Sequence, residues 1–328
     1  VTSHTFDTPG GVALTVGIRS GHVRVAVHDQ PTTDVDVVLG SGVAPEQLRV
    51  QHSEFGGEHH VAVELVTGRS GFGIGLLRHS DIDVTVRVPA GSRAEISTAS
   101  APIVLTGAYR QLEVKTASGD AQVDTVETDL SAQASSGSIT VTSCMGRATI
   151  RTASGDVRCG HLGENASIAT ASGDVEVASG IALTVTTASG DIRAAAAGEC
   201  RFRSASGDQH VERLDAGSSG FTSVSGDVTV AVARGGAVHL DAESISGELV
   251  SEIELGDQPD GAEPTAGPVI ELKIRTVSGD VRVSRSRSSD PSTALAETGS
   301  PAPVADEPAI ATPGGREPRG LLRRRPHA

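Results

Sequence analysis

A five-residue motif, Thr-Ala-Ser-Gly-Asp with small variations, returns along this chain at an almost fixed interval, and that interval constrains the fold more than any single residue does. With its serine as marker, the motif falls at Ser100, Ser118, Ser136, Ser154, Ser172, Ser189, Ser206, Ser225, Ser246 and Ser278, in steps of 18, 18, 18, 18, 17, 17, 19, 21 and 32 residues. So steady a period marks a repeat architecture, in which each unit buries its apolar face only against its neighbours.

Within a repeat the hydropathy alternates. Counting back from the serine, positions six, four and two are Leu112, Val114 and Thr116, then Ala148, Ile150 and Thr152, then Leu183, Val185 and Thr187, whereas Glu113, Lys115, Arg201 and Arg203 fall between such positions. That is the period of a half-buried strand. Beyond the Ser-Gly-Asp corner it resumes, with Val157 and Cys159, Val175 and Val177, Val228 and Val230, and Val281 and Val283 inward, and Arg158, Glu176, Arg193, Thr229 and Arg282 outward. Each repeat reads as strand, tight corner, short strand and connector. Stacked about 4.8 Å apart, such units predict an all-β protein: a parallel β-helix (β-solenoid) of about ten rungs with an 18-residue period, expected to coil right-handed.

The corners form a structural turn ladder: Ser118-Gly119-Asp120, Ser154-Gly155-Asp156, Ser172-Gly173-Asp174, Ser189-Gly190-Asp191, Ser206-Gly207-Asp208, Ser225-Gly226-Asp227 and Ser278-Gly279-Asp280. Glycine is expected there because it reaches positive φ without steric cost. A Thr or Ser two before the marker, with Ala134 as the exception, is expected to hydrogen-bond along the stack.

Residues 1–92 fit the template once, at Leu14, Val16 and Ile18, then Ser20-Gly21-His22, then Val23 and Val25; their other alternating runs lack the period. They are read as an irregular β capping region with one divergent rung, covering a strand edge that would otherwise lie open. The Gly-rich stretch from Gly68 to Gly75 is read as a loop. Residues 93–284 form the repeats, with a loop insertion at 256–267 that accounts for the 32-residue step. Residues 285–328, rich in Pro, Ser, Ala and charge, read as a disordered tail. The Ser278 rung then ends the stack and leaves an edge for end-to-end self-association.

Composition excludes several functions. The net charge of −14 argues against nucleic acid, whose binding rests on Lys and Arg at phosphates. With no Trp, one Tyr and five Phe, stacking platforms for bases or sugars are scarce. No apolar run is long enough for a transmembrane segment. Three cysteines at irregular spacing do not make a disulfide framework. Val1-Thr2-Ser3-His4 lacks the basic-then-apolar pattern of an export signal, so a cytoplasmic location is expected, with a secreted or cell-surface location as the alternative.

Candidate chemistry is sparse. The acids two after the marker form a column, and Asp156, Asp174, Asp191 and Asp208 are its metal candidates because Ca²⁺ takes carboxylate oxygens; capping the backbone of their own turns is the favoured role. His52, His59 and His60 make a second candidate metal trio without matching Cys/His spacing. Cys159 and Cys200 fall at inward positions, whereas Cys144 lies on a connector, where a thiol can be reactive. Arg323, Arg324 and Arg325 are candidates for contact with an anionic surface. No catalytic residue and no cofactor is expected.

Val-Lys-Thr-Ala-Ser-Gly-Asp at 114–120 and Val-Thr-Thr-Ala-Ser-Gly-Asp at 185–191, preceded by Val-Arg-Val-Pro-Ala-Gly-Ser at 86–92, resemble the bacterial β-strand-repeat family labelled "putative adhesin", a domain of unknown function. The resemblance spans roughly residues 5–283 and implies a β-solenoid with no carried-over catalytic residues. The expected function is a non-enzymatic scaffold or binding protein that presents polar faces to a protein partner. The alternative is a surface adhesin for host or cell-wall material, and a polysaccharide-acting enzyme ranks third.

Overall fold

The computed structural model describes residues 1–40, 45–65, 81–235, 237–253 and 269–286. The stretches at Gly68–Gly75 and 256–267, the tail from 287, and Arg323 to Arg325 lie outside them. Strands dominate, and a 3₁₀ turn at Pro45–Gln47 is the one helical element among the described residues. The first seven strands are β1 (Thr2–Asp7), β2 (Val12–Ile18), β3 (Ser20–His28), β4 (Thr32–Leu39), β5 (Leu48–Phe55), β6 (Glu58–Leu65) and β7 (Asp81–Pro89). The regular stretch carries β8 (Arg93–Thr98), β9 (Ile103–Tyr109), β10 (Gln111–Thr116), β11 (Ala121–Val126), β12 (Leu130–Ala134), β13 (Ile139–Cys144) and β14 (Ala148–Thr152). Three long strands run through a connector from one rung into the next: β15 (Val157–Ser172), β16 (Val175–Ser189) and β17 (Ile192–Ser206). The last seven are β18 (Gln209–Leu214), β19 (Gly217–Ser225), β20 (Val228–Val232), β21 (Ala237–Ser246), β22 (Leu249–Ser251), β23 (Val269–Ser278) and β24 (Val281–Arg285).

All of them belong to one sheet, which is wound into two long parallel ladders. One holds the strands that precede each corner and runs β6, β2, β8, β10, β12, β14, β15, β16, β17, β19, β23, β21. The other holds the strands that follow it and runs β7, β3, β9, β11, β13, β15, β16, β17, β18, β20, β24, β22. Register is one repeat per step, as in Leu112 against Leu130 and Ile150 against Ile168. Every inward column is therefore a ladder of like positions.

The order of rungs at the two ends is not the order of the chain. The rung of β2 and β3 packs directly against β8 and β9, with β6 and β7 on its outer side. Antiparallel strands extend this end: β4 on β7, β1 on β4, and β5 on β6. At the other end Ser278 pairs with both Ser225 and Ser246, so the last repeat in sequence is slotted inside the one before it. This corrects the expectation that the Ser278 rung ends the stack; the terminal strands are β21 and β22. Side-chain size explains the exchange. Ile270, Leu272 and Ile274 of β23 are fully buried, whereas Val238, Leu240 and Ala242 of β21 are only half-buried. The strand with more apolar surface gains more from two neighbours than the smaller one does.

The interior is built from Val, Ile, Leu and Ala, with three large rings. Tyr109 donates its hydroxyl to the Val25 carbonyl at 2.7 Å. Phe202 and Phe221, in adjacent rungs, meet edge to face at 5.3 Å between centroids, a preferred aromatic geometry.

The hydroxyl column departs from expectation. Thr98 does donate to Thr116 at 3.1 Å, but Thr152, Thr170, Thr187, Ser204, Ser223 and Thr276 are buried without a hydrogen-bond partner.

Candidate functional site

The corner ladder is the part of the surface with the most regular chemistry, and its geometry begins with glycine. A Cβ on Gly137, Gly155, Gly173, Gly190, Gly207, Gly226, Gly279 or Gly247 would fall well inside 3.0 Å of the carbonyl oxygen of the glycine in the adjoining rung. Positive φ, the reason expected from sequence, holds at Gly190 (153°), Gly207 (135°) and Gly226 (144°). Close approach of backbone to backbone is the requirement that all of these corners share.

That approach sets the aspartates. Asp156 accepts through Oδ1 from the amide of Asp174 at 3.1 Å, Asp174 from Asp191 at 2.9 Å, and Asp191 from Asp208 at 3.0 Å. The chain of bonds continues from Asp208 to the amide of Asp227 at 2.9 Å, from Asp227 to that of Asp280 at 2.8 Å, and from Asp280 to that of Glu248 at 2.9 Å. Asp120 accepts likewise from the amide of Ser138, the residue that replaces the acid in its rung, at 2.9 Å. Each carboxylate thus ties its corner to the next one, which offsets the repulsion of like charges in a column. The guanidinium of Arg158 takes Oδ2 of Asp156 at 3.2 Å, and that of Arg193 takes Oδ2 of Asp191 at 2.7 Å.

Beside the corner the outward columns are polar and mixed. Arg158, Glu176, Arg193, His210, Thr229 and Arg282 succeed one another along the second ladder, and Arg158 reaches Glu176 at 3.8 Å. Sequence reading passed over one stripe. The residue just before the marker is Ala in most rungs, but it is Val224, Val277 and Ile245 in the last three, which are consecutive in the stack. These side chains are 53%, 45% and 76% exposed. The signal was present as three β-branched residues at a position that elsewhere takes Ala or Ser.

The histidine trio does not assemble. His52 Nε2 and His59 Nδ1 meet at 3.2 Å beside the Phe6 ring, while His60 turns toward Glu58 at 3.8 Å. Among the described residues no three His, Cys, Asp or Glu side chains converge in a metal-binding arrangement. All three thiols are buried. Burial pushes Cys159 and Cys200 up to about 12 and raises Cys144 as well. Cys144, expected on an accessible connector, lies instead at 0% exposure with its sulfur against the carbonyls of Thr128 and Arg147. A thiol so placed is not a nucleophile at neutral pH. No helix among the described residues is long and apolar enough to cross a membrane.

Among curated proteins none matches this chain. Similar solved structures include a "putative cell adhesion protein" from Clostridium sporogenes, 10% identical over 87% of this chain and 99% of that one, with a TM-score of 0.21. A "putative lipid binding protein" from Parabacteroides distasonis is 11% identical over 86% of this chain and 96% of its own, with a TM-score of 0.41. A "putative adhesin" from Bacteroides fragilis is 11% identical over the same shares, with a TM-score of 0.37. Likenesses this distant bear no weight on function. The family model that matches residues 15–284 does bear on identity, and by it this chain is a member of the Toastrack DUF4097 family.

Proposed function

We propose that the protein is a non-enzymatic binding and assembly scaffold, a rigid right-handed solenoid of about ten rungs, capped by residues 1–92 and followed from 285 by a tail, that presents its side faces to a protein partner. The observation that carries this reading is the exposed stripe of Val224, Val277 and Ile245 beside corners whose carboxylates are bonded to the backbone of the neighbouring rung. Apolar side chains grouped on an otherwise polar surface mark interaction sites. The Ser-Gly-Asp corners serve the stack in this reading, and Asp156, Asp174, Asp191 and Asp208 hold the neighbouring rung and no cation. Assembly takes the form of end-to-end association at an open end of the rod.

Photo-crosslinking in native cells tests the partner. A benzophenone amino acid placed at 224 or 277 is expected to give a discrete adduct that the same group at 133 or 186, on the polar columns, does not. Equal labelling from all four positions refutes the stripe as the contact. Surface adhesion is the second reading, and fractionation of the native cells separates the two: recovery from the medium or envelope favours adhesion, and recovery from the cytosol favours an internal partner. Turnover on a panel of anionic polysaccharides would overturn both.

A further inference from the structure

The two ends of the stack are finished differently. At the first, antiparallel strands β1, β4 and β5 continue the sheet past its outermost rung. At the second, β21 and β22 pair among the described residues on one side only, with β23 and β24. The inward side chains of β21, Val238, Leu240 and Ala242, are left half-buried, and Leu249 of β22 is 48% exposed. An unpaired strand edge over an uncovered apolar end is a template for another strand.

We infer that this end is closed by a second copy of the same chain, β21 against β21 in antiparallel pairing across a two-fold axis at Leu240. The inference rests on the assembly reading above and specifies its surface and register. One observation and two of its consequences select it. The Ser246 carbonyl accepts from the amide of Gly279, the residue that follows β23, so the alternation of a strand directs the amides and carbonyls of Ala237, His239, Asp241 and Glu243 away from β23, toward the open side. An antiparallel partner centred on Leu240 sets His239 opposite Asp241 and Ala237 opposite Glu243, each an outward-directed pair that exchanges both of its hydrogen bonds. Leu240 then meets Leu240, and Val238 meets Ala242, on the core side of both copies.

Charge discriminates against the neighbouring registers. Centred on Asp241, the pairing sets two aspartates face to face; centred on Ala242, it opposes Asp241 to Glu243. Centring on Leu240 is the register that makes two His–Asp pairs and opposes no acids. A shift by one residue in pairing would turn inward side chains against outward ones. A two-fold pairing is also self-limiting, since it uses up the edge that it joins.

The test is the mass of the full chain in solution, together with disulfide trapping. The three native thiols are buried and do not compete. In the proposed register position 240 faces its own copy at a Cα separation of about 4.5 Å, within disulfide range. Leu240→Cys is therefore expected to give a covalent dimer on mild oxidation, and Asp241→Cys and Ala242→Cys are not. His239→Asp is expected to weaken the dimer roughly tenfold by opposing acids across the axis, and the double variant His239→Asp/Asp241→His is expected to restore it. A monomer at all concentrations overturns the assembly reading and this one together. A dimer that is indifferent to these substitutions, a preferential crosslink at 241, or an open-ended filament leaves assembly standing and overturns this interface.

Discussion

Replacing Gly173 with alanine isolates the contact on which the corner ladder depends. Gly173 has no positive φ, and its Cβ would lie well inside 3.0 Å of the Gly155 carbonyl oxygen. Relief requires the Ser172 corner to rise about 1 Å from the one below, toward ordinary van der Waals distance. Two bonds span that gap, Ser172 N to the Ala153 carbonyl at 2.9 Å and Asp174 N to Asp156 Oδ1 at 3.1 Å. A shift of about 1 Å takes both past the range of a hydrogen bond. At about 1 kcal/mol each, with the added strain of overpacking, the loss comes to roughly 2–4 kcal/mol. Three other glycines separate the causes. Gly190 has the same contact and a φ of 153°, so its alanine variant loses about 1 kcal/mol more. Gly10 has a φ of 85° and nothing within 4 Å, and its variant loses about 1 kcal/mol. Gly220, in β19, has neither feature, and its variant is neutral or gains up to about 1 kcal/mol. Urea unfolding followed by circular dichroism gives the ranking, with m-values compared because repeat arrays can lose cooperativity. If Gly173→Ala stays within about 0.5 kcal/mol of the parent, or Gly220→Ala costs as much as Gly173→Ala, close approach is not why glycine occupies the corners.

Thr187→Val removes a buried hydroxyl that has no protein partner and keeps the shape, so stability is expected to rise by about 1 kcal/mol; a loss of that size in urea unfolding would mean the oxygen is satisfied. Cys200 titrates at about 12 in the folded protein against a reference of 9.0, through desolvation. Its neutral form is favoured on folding, so its contribution is complete below pH 9 and is lost as pH rises toward 12. Between pH 9 and 11, stability should fall less steeply in Cys200→Ala than in the parent, by about 1.4 kcal/mol per pH unit; parallel profiles would refute the burial of that thiol.

The regular part of the fold is legible because its causes are local and repeated. Inward Leu112, Val114 and Ile150 and outward Glu113 and Arg158 follow from a period of two, and the lateral register follows from the period of 18. Glycine at the corners answers to the adjoining rung as well as to its own turn. Positive φ at Gly190, Gly207 and Gly226 belongs to the turn itself, whereas the lack of room for a Cβ comes from the rung beside it. Spacing along the stack removes room for a Cβ at Gly155, which does not follow from one repeat considered alone.

The exchange of rungs at the ends was invisible to periodicity for a different reason, since a period gives the step between repeats and not the direction in which the chain takes it. The information lay in amphipathicity. Val269–Ser278 carries Ile, Leu and Ile at its inward positions, and Ala237–Ser246 carries Val, Leu and Ala. An interior rung buries both of its edges and an end rung buries one, so the larger set gains more by moving inside. Among the described residues the first and last parallel rungs in sequence, β2–β3 and β23–β24, lie inside the outermost ones. The Asp227–Asp280–Glu248 sequence of bonds ties the last segment between two others, so fraying from the C-terminal side must first release an interior rung. The edge left unpaired among the described residues is instead a mid-chain strand held at both of its ends, a preformed edge that needs little ordering before another strand pairs with it.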